Sequence, residues 1–317
     1  MSSISKALHR LPDGFVSILQ ALYTPLTIDH IVSAMMKHRP VSLRANSLKT
    51  GPGPVRERLR SAGLKFENVP WYPDAFVLPE ATERDIQKLD IYSDGKVYLQ
   101  SLSSMIPVLV LRPGPGEKIL DLTAAPGSKT TQMSAVTANR SEIVACELDK
   151  VRFERLKYNV GVQGAGNVTL LNLPSEKLAG RHPEFLGYFD KVLLDAPCSG
   201  EGRFLLPSPQ TFRHWSEKDV RGYANLQKKL MKSSADCLKP GGILVYSTCT
   251  INRDENEAIV DHAVREIGFT VLDIDLKIQG LQPGLAEGFE PSVKKAVRIL
   301  PGKLMEGFFV CKLKKLP

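Results

Sequence analysis

The sequence contains no apolar run approaching the roughly 20 residues that cross a bilayer; Met105 to Leu111 is among its longest. Residues Met1 to Arg10 lack the apolar stretch of a secretory signal. A cytoplasmic protein without a membrane partner is therefore expected. Cysteine is sparse: Cys146, Cys198, Cys237, Cys249 and Cys311 form no Cys-x-x-Cys pair and cannot all pair with one another. Neither a metal site nor a disulfide framework is expected, so any cysteine that matters should matter as a thiol. Also missing are the Gly-x-x-x-x-Gly-Lys-[Ser/Thr] spacing of a P-loop and the Gly-x-Gly-x-x-Gly of dinucleotide binders. Internal repeats and low-complexity tracts are absent.

What is present is a chain of 317 residues, 43% hydrophobic, enough for one large or two modest domains with a packed core. Lys and Arg number 42 against 34 Asp and Glu, a net charge of +8. This points modestly to a polyanionic partner, with a merely basic enzyme as the plain alternative.

Residues 1–40 read as a helical segment, because Gly14 to Tyr23 and Ile28 to Met36 place apolar residues three and four apart. A small α+β unit follows over 41–95. It has strands at Val41 to Leu48, Phe66 to Trp71, Ala75 to Leu78 and Lys96 to Leu99, and a helix from Pro54 to Leu64. From 96 to 317 the rhythm alternates strand and helix, the mark of an α/β domain with a mostly parallel, doubly covered sheet. Strands are predicted at Lys118–Leu122, Glu142–Glu147, Asn167–Asn172, Asp190–Ala196, Gly241–Thr248, Phe269–Ile274 and Phe308–Lys312. Helices are predicted at Ser128–Val136, Lys150–Val162, Glu217–Cys237 and Arg253–Ile267. Lys239-Pro-Gly-Gly reads as a helix stop, and Lys277 to Gly307 as a long looping connection.

Ile119-Leu-Asp-Leu-Thr-Ala-Ala-Pro-Gly-Ser-Lys is an apolar strand entering a small-residue turn before a helix, where backbone can approach a ligand closely. Glu147, at the end of the next strand, is placed to accept from both hydroxyls of a ribose or simply to begin a helix as a surface acid. Arg152, one turn on, could brace that carboxylate. Asp190-Lys-Val-Leu-Leu-Asp-Ala-Pro-Cys puts Asp195 and Cys198 just beyond a buried strand, and Val245-Tyr-Ser-Thr-Cys does the same for Cys249. Cys146, Cys237 and Cys311 read as small core hydrophobes.

Asp195-Ala-Pro-Cys-Ser-Gly and Tyr246-Ser-Thr-Cys-Thr, with Ala124-Ala-Pro-Gly-Ser-Lys ahead and Glu255-Asn-Glu behind, resemble the Sun family (RsmB/RsmF type) of RNA 5-methylcytosine methyltransferases. Ser42-Leu-Arg-Ala-Asn-Ser-Leu-Lys, Leu99-Gln-Ser-Leu-Ser-Ser-Met and Glu306-Gly-Phe-Phe-Val extend the likeness from about residue 40 to the end. The Val69-Pro-Trp and Glu201-Gly-Arg stretches resemble its RsmF-like branch, which acts on small-subunit ribosomal RNA.

The resemblance implies a class I, Rossmann-like fold that uses S-adenosylmethionine, behind a small RNA-binding unit. It makes Thr123, Ala124, Ala125, Pro126, Gly127, Ser128 and Lys129 the loop at the methionine end of the cofactor, Glu147 the ribose ligand and Asp195 a contact to cofactor and target cytosine. Cys249 becomes the nucleophile and Cys198 the residue that assists release. Two departures stand out. Pro174 occupies the place of an acid near the adenine, leaving Asn172, Ser175 or backbone to hold it. The C-terminal RNA-binding extension that RsmF-like proteins can carry has no counterpart before Pro317.

The chemistry accounts for these residue types. Carbon 5 of cytosine is a poor nucleophile until a thiolate adds to carbon 6 and turns the ring into an enamine. Asp195 could hold N3 and the exocyclic amine if burial leaves it a proton. Lys129 could neutralise a carboxylate or touch the base edge, or be an ordinary helix-surface lysine. The base that removes the carbon-5 proton has no obvious sequence signature. Arg44, Lys49, Arg298 and Lys303 are candidate phosphate contacts, and the target base should be unpaired or flipped. Ribosomal RNA is the expected substrate. Alternatives are transfer RNA, exocyclic-amine methylation, a DNA cytosine methyltransferase that attacks through Cys198, and a non-catalytic RNA-binding assembly factor.

Overall fold

A computed structural model describes residues 3–317; Met1 and Ser2 of the expected helical segment lie outside the described residues. That segment forms α1 (Ser3–Leu8), α2 (Asp13–Leu22) and α3 (Pro25–Met35). Pro25 opens α3 and the Thr24 hydroxyl accepts from Thr27 N at 3.4 Å. The apolar stripe Phe15, Leu19, Ile31 and Met35 packs on Phe204, Leu206 and Phe212. These helices therefore share a core with the segment that follows Cys198.

The small unit comprises β1 (Val41–Ala45), α4 (Pro52–Ser61), β2 (Glu67–Asn68), β3 (Ala75–Leu78), α5 (Glu83–Gln87), α6 (Asp90–Ser93) and β4 (Val97–Leu99). Its antiparallel sheet has the order β2-β3-β1-β4, so it runs past residue 95 to Leu99. Leu43 and Ala45 face the core of this unit. Strand alternation turns Arg44 to the other face, where it is fully buried and bonds Gln100 and Thr131 at 3.2 and 3.3 Å. Arg44 is thus mortar between the small sheet and the helix of Ser128–Val136, which corrects its reading as a phosphate contact. Burial pushes its guanidinium pKa down.

Next come α7 (Leu102–Leu111), β5 (Lys118–Asp121), α8 (Ser128–Val136), β6 (Glu142–Glu147), α9 (Lys150–Gln163), β7 (Val168–Asn172), α10 (Leu178–Arg181), β8 (Phe189–Asp195) and α11 (Glu217–Cys237). The chain closes with β9 (Leu238–Thr248), α12 (Glu257–His262), β10 (Phe269–Leu272), β11 (Gln282–Pro283), β12 (Val297–Ile299) and β13 (Phe308–Lys315). The large sheet has the order β11-β12-β13-β9-β8-β5-β6-β7, with β10 also on β13. Strands β7, β6, β5, β8 and β9 are mutually parallel, and β13 closes antiparallel on β9. Strand order reverses at β5, the switch point where such sheets bind ligands.

Four expectations change. Helix α7 was not foreseen, because it is apolar on nearly all sides, contains Pro107 and offers no 3.6-residue period. Strand β9 starts at Leu238, directly after α11, so Lys239-Pro-Gly-Gly lies within a strand, beside an irregularity in its pairing with β8. The helix expected from Arg253 starts at Glu257, because the Asn256 side chain is bound to Thr248 and Thr250. The connection over 277–307 contains β11 and β12, which extend the sheet.

Candidate active site

The register Asp121↔Leu193, Leu193↔Val245 and Asp195↔Ser247 ends β5, β8 and β9 at one edge of the sheet. The turn after β5 enters α8 through Gly127, at φ 104°. A Cβ there would stand 3.0 Å from Leu156 Cδ1, so only glycine suits both the conformation and the space. A cavity of about 550 Å3 opens above this edge. Thr123, Ala124, Ala125, Pro126, Ser128, Lys129, Asp195, Cys198 and Cys249 line it; Gly127, Glu147 and Pro174 do not.

Lys129 is buried, and its Nζ donates to Asp195 Oδ2 at 2.6 Å and to Ser104 Oγ at 2.8 Å. Ser247 Oγ donates to Asp195 Oδ1 at 2.7 Å. Asp195 therefore receives a donor on each oxygen beside an ammonium group. These two contacts fix the carboxyl group in place at the end of β8.

Glu147 lies beneath the turn. Its Oε1 accepts from Asp149 N at 2.9 Å, and its Oε2 stands 3.6 Å from Arg152 Nη1. Arg152 also donates to Ala125 O at 2.8 Å, tying the end of β6 to the turn. Asn172 donates to the Glu147 and Leu148 carbonyls, and Pro174 precedes a 3-10 turn over Ser175–Lys177.

The Cys198 and Cys249 sulfurs are 3.3 Å apart. The hydrogen bond to Cys249, aided by burial, pushes the Cys198 thiol well above the usual cysteine range. Either sulfur can donate across this contact, so the two thiols can share a proton at the sheet edge. Both loops are clamped from behind. Gly202 N donates to Cys249 O at 3.0 Å, and Gly307 N to Gly202 O at 2.9 Å. Ser199 N and Gln227 Nε2 both donate to Glu255 Oε2 at 3.0 Å. Burial raises the Glu255 carboxyl to about 7.

The Glu255-Asn256-Glu257 run acts here as a brace. Asn256 holds the Cys249 loop through Thr248 and Thr250, and Glu257 meets Arg298 in a bidentate pair, both contacts at 2.6 Å. Arg298 is 1% exposed and also donates to Tyr23 Oη and Ile251 O. It is not a phosphate contact, a second correction. Lys303 is exposed. Lys49 is exposed too, although its Nζ reaches Asp94 O and Val162 O.

Several cavity residues, most of them inside the stretches quoted above, are given no role by the sequence. Asp121 accepts from Thr130 Oγ1 at 2.6 Å, and burial raises it to about 7. Its place at the end of an apolar strand in Ile119-Leu-Asp was the available clue. Tyr98, Gln100 and Ser101 come from the small unit, and Arg203, Tyr223, Glu306 and Phe308 from distant segments. Only the packing of the two sheets brings them together. Cys146, Cys237 and Cys311 are buried core residues whose thiols are pushed up by burial. Among the described residues, no group of three or more His, Cys, Asp and Glu side chains is arranged to hold a metal ion, and no helix is long and apolar enough to cross a membrane.

Residues 108–314 match the family described as 16S rRNA methyltransferase RsmB/F, and residues 11–85 its RsmF/B-like ferredoxin-like domain. A ribosomal RNA small subunit methyltransferase F of Aliivibrio salmonicida is 36% identical over 314 residues, covering 96% of this chain. The chain spans 64% of that relative's length. A methyltransferase homolog of Pyrococcus horikoshii superposes with a TM-score of 0.86 at 31% identity, each chain covered fully. The NSun6 of the same organism, solved with SFG, has a TM-score of 0.84 at 24% identity over 98% of this chain and all of its own, and bears on the fold alone. The fold is the class I, Rossmann-like one, with a ferredoxin-like unit ahead of it.

Proposed function

The chain belongs to the RsmB/F family of 16S rRNA methyltransferases, and from that premise we propose that it is an RNA (cytosine-5)-methyltransferase acting on ribosomal RNA in the cytoplasm. Cys249 is the nucleophile and Cys198 its partner. The observation that carries this reading is the 3.3 Å contact between the two sulfurs at the edge of the sheet.

The donors around the cavity suit S-adenosylmethionine. Thr123, Ala124, Ala125, Pro126, Ser128 and Lys129 line the cavity and would hold the methionine end, and Glu147, braced by Arg152 at the end of β6, would offer a carboxylate to the ribose. Asp195, at the end of β8, would meet the target base, and Asn172 and Pro174, past the end of β7, would lie at the adenine end. When bound, the cofactor supplies the methyl group that carbon 5 accepts.

The protein's own part begins at Cys249. Its sulfur adds to carbon 6, and the ring electrons move toward carbon 5. Asp195, held by Lys129 and Ser247, hydrogen-bonds the exocyclic amine, and Lys129 supplies positive charge as the ring becomes electron-rich. Once carbon 5 carries the methyl group, a base takes its proton, the freed electron pair forms the carbon-5 to carbon-6 double bond, the carbon-6 to sulfur bond breaks, and its electron pair stays on the Cys249 sulfur. An S–H on Cys198, 3.3 Å away, stabilises the departing thiolate. Without that donor the adduct should persist.

The test incubates wild type, Cys249→Ala and Cys198→Ala with methyl-labelled cofactor and either small-subunit ribosomal RNA or transfer RNA. Label should enter cytosine of ribosomal RNA with wild type and not with Cys249→Ala. Cys198→Ala should accumulate a protein–RNA adduct that survives denaturation. Full activity in Cys249→Ala would sink the mechanism, label on transfer RNA alone would change the substrate, and RNA binding without any transfer would favour an assembly factor.

A further inference from the structure

Three cations line the cavity: Lys129, Arg152 and Arg203. Two are closely engaged, Lys129 with Asp195 and Ser104, and Arg152 with Ala125 O and Glu147. Arg203 has a looser carboxylate contact, with its Nε 3.9 Å from Glu306 Oε2. The other oxygen of Glu306 accepts from Ser101 Oγ at 2.7 Å. Charge on Arg203 is therefore only partly neutralised.

Backbone geometry decides where that charge is felt. Gly202 N donates to the carbonyl of Cys249 itself, and Gly202 O accepts from Gly307 N. Residue 203 is thereby pinned one position from the peptide that carries the second cysteine. Arg203 and Cys249 both line the cavity. The Cys249 sulfur is also the leading cause of the upward shift of the Arg203 guanidinium.

We propose that Arg203 is a catalytic residue for this site, its guanidinium serving as the counter-charge that keeps the Cys249 sulfur anionic for attack. The inference rests on the reading of Cys249 as the nucleophile. It completes a division of labour at that sulfur: Cys198 supplies a neutral hydrogen-bond donor and Arg203 a formal positive charge. No motif residue next to Cys249 is cationic, so the charge has to come from the Glu201-Gly-Arg turn. The Arg203 side chain is 65% exposed, and water screens part of its effect.

The test uses the full chain without RNA or cofactor. Alkylation of Cys249 by iodoacetamide is followed by mass spectrometry across about pH 5 to 10 in wild type, Arg203→Gln and Arg203→Lys. Arg203→Gln should move the midpoint of the pH–rate curve up by roughly one unit, about a tenfold loss of rate near neutral pH. Arg203→Lys should retain most of the wild-type midpoint. An unmoved midpoint in Arg203→Gln overturns the proposal. An equal shift in Arg203→Lys overturns it as well, because shape rather than charge would then be responsible. Failure of the nucleophile reading is seen separately, as full methyl transfer by Cys249→Ala.

Discussion

A Cβ placed on Gly202 would stand 2.0 Å from the carbonyl oxygen of Gly307. The two glycines let the loop after Cys198 and the strand entry at Phe308 meet backbone to backbone. Gly202→Ala should push these segments apart, at a cost of about 1–3 kcal/mol in stability, and should lower methyl transfer by more than it lowers folded content. Urea denaturation and turnover, measured on the same preparation, check this. Wild-type turnover in a fully folded Gly202→Ala would show that the clamp does not position the cysteines.

The Arg298–Glu257 pair is buried and also holds Tyr23. Removing one partner leaves an uncompensated charge, so Glu257→Gln should cost about 3–5 kcal/mol. The double variant Glu257→Leu with Arg298→Met should recover a large part of that loss. Chemical denaturation of the three proteins reads it directly. A double variant no better than the single one would refute this account.

Glu255 has a folded-state value near 7 against an ordinary 4.5. Its folded form binds the proton more tightly than its unfolded form does. The associated stability is therefore complete below about pH 4.5 and is lost as pH rises through about 7. Glu255→Gln mimics the protonated acid and should flatten this part of the profile, gaining on wild type as pH rises from 5 to 8. Parallel denaturation curves at each pH would count against it.

Glu147 is held by Asp149 N and faces Arg152. Glu147→Gln should weaken binding of S-adenosylhomocysteine by roughly 10- to 100-fold, the range for a charged hydrogen bond, with little change in RNA binding. Calorimetric titration decides it, and an unchanged affinity would remove Glu147 from the ribose site.

The alternating strands and helices from Glu117 onward were legible because each buried strand is a short apolar run bounded by turn residues. Helix α11 and strand β6 fall where the periodicity placed them. The cysteines at strand ends were legible for the same reason, since a residue just past a parallel strand must lie at the ligand-binding edge. Helix α7 was not, because burial on nearly every side erases the amphipathic period. Arg44 and Arg298 were misread because a basic residue in a polar stretch looks the same whether it meets phosphate or fills a core.

By itself, the sequence determined the family, the sheet edge at which such folds bind ligands and the placing of two cysteines just past buried strands. Each of these is written in local runs of residues. Tertiary structure decided that the two sulfurs meet at 3.3 Å, that Asp195 is paired with Lys129, and that Arg203 lines the same cavity as Cys249. It also decided that Arg298 belongs to Glu257 and Tyr23. These outcomes depend on burial and on contacts between segments as much as 275 residues apart, and a local pattern carries no record of either.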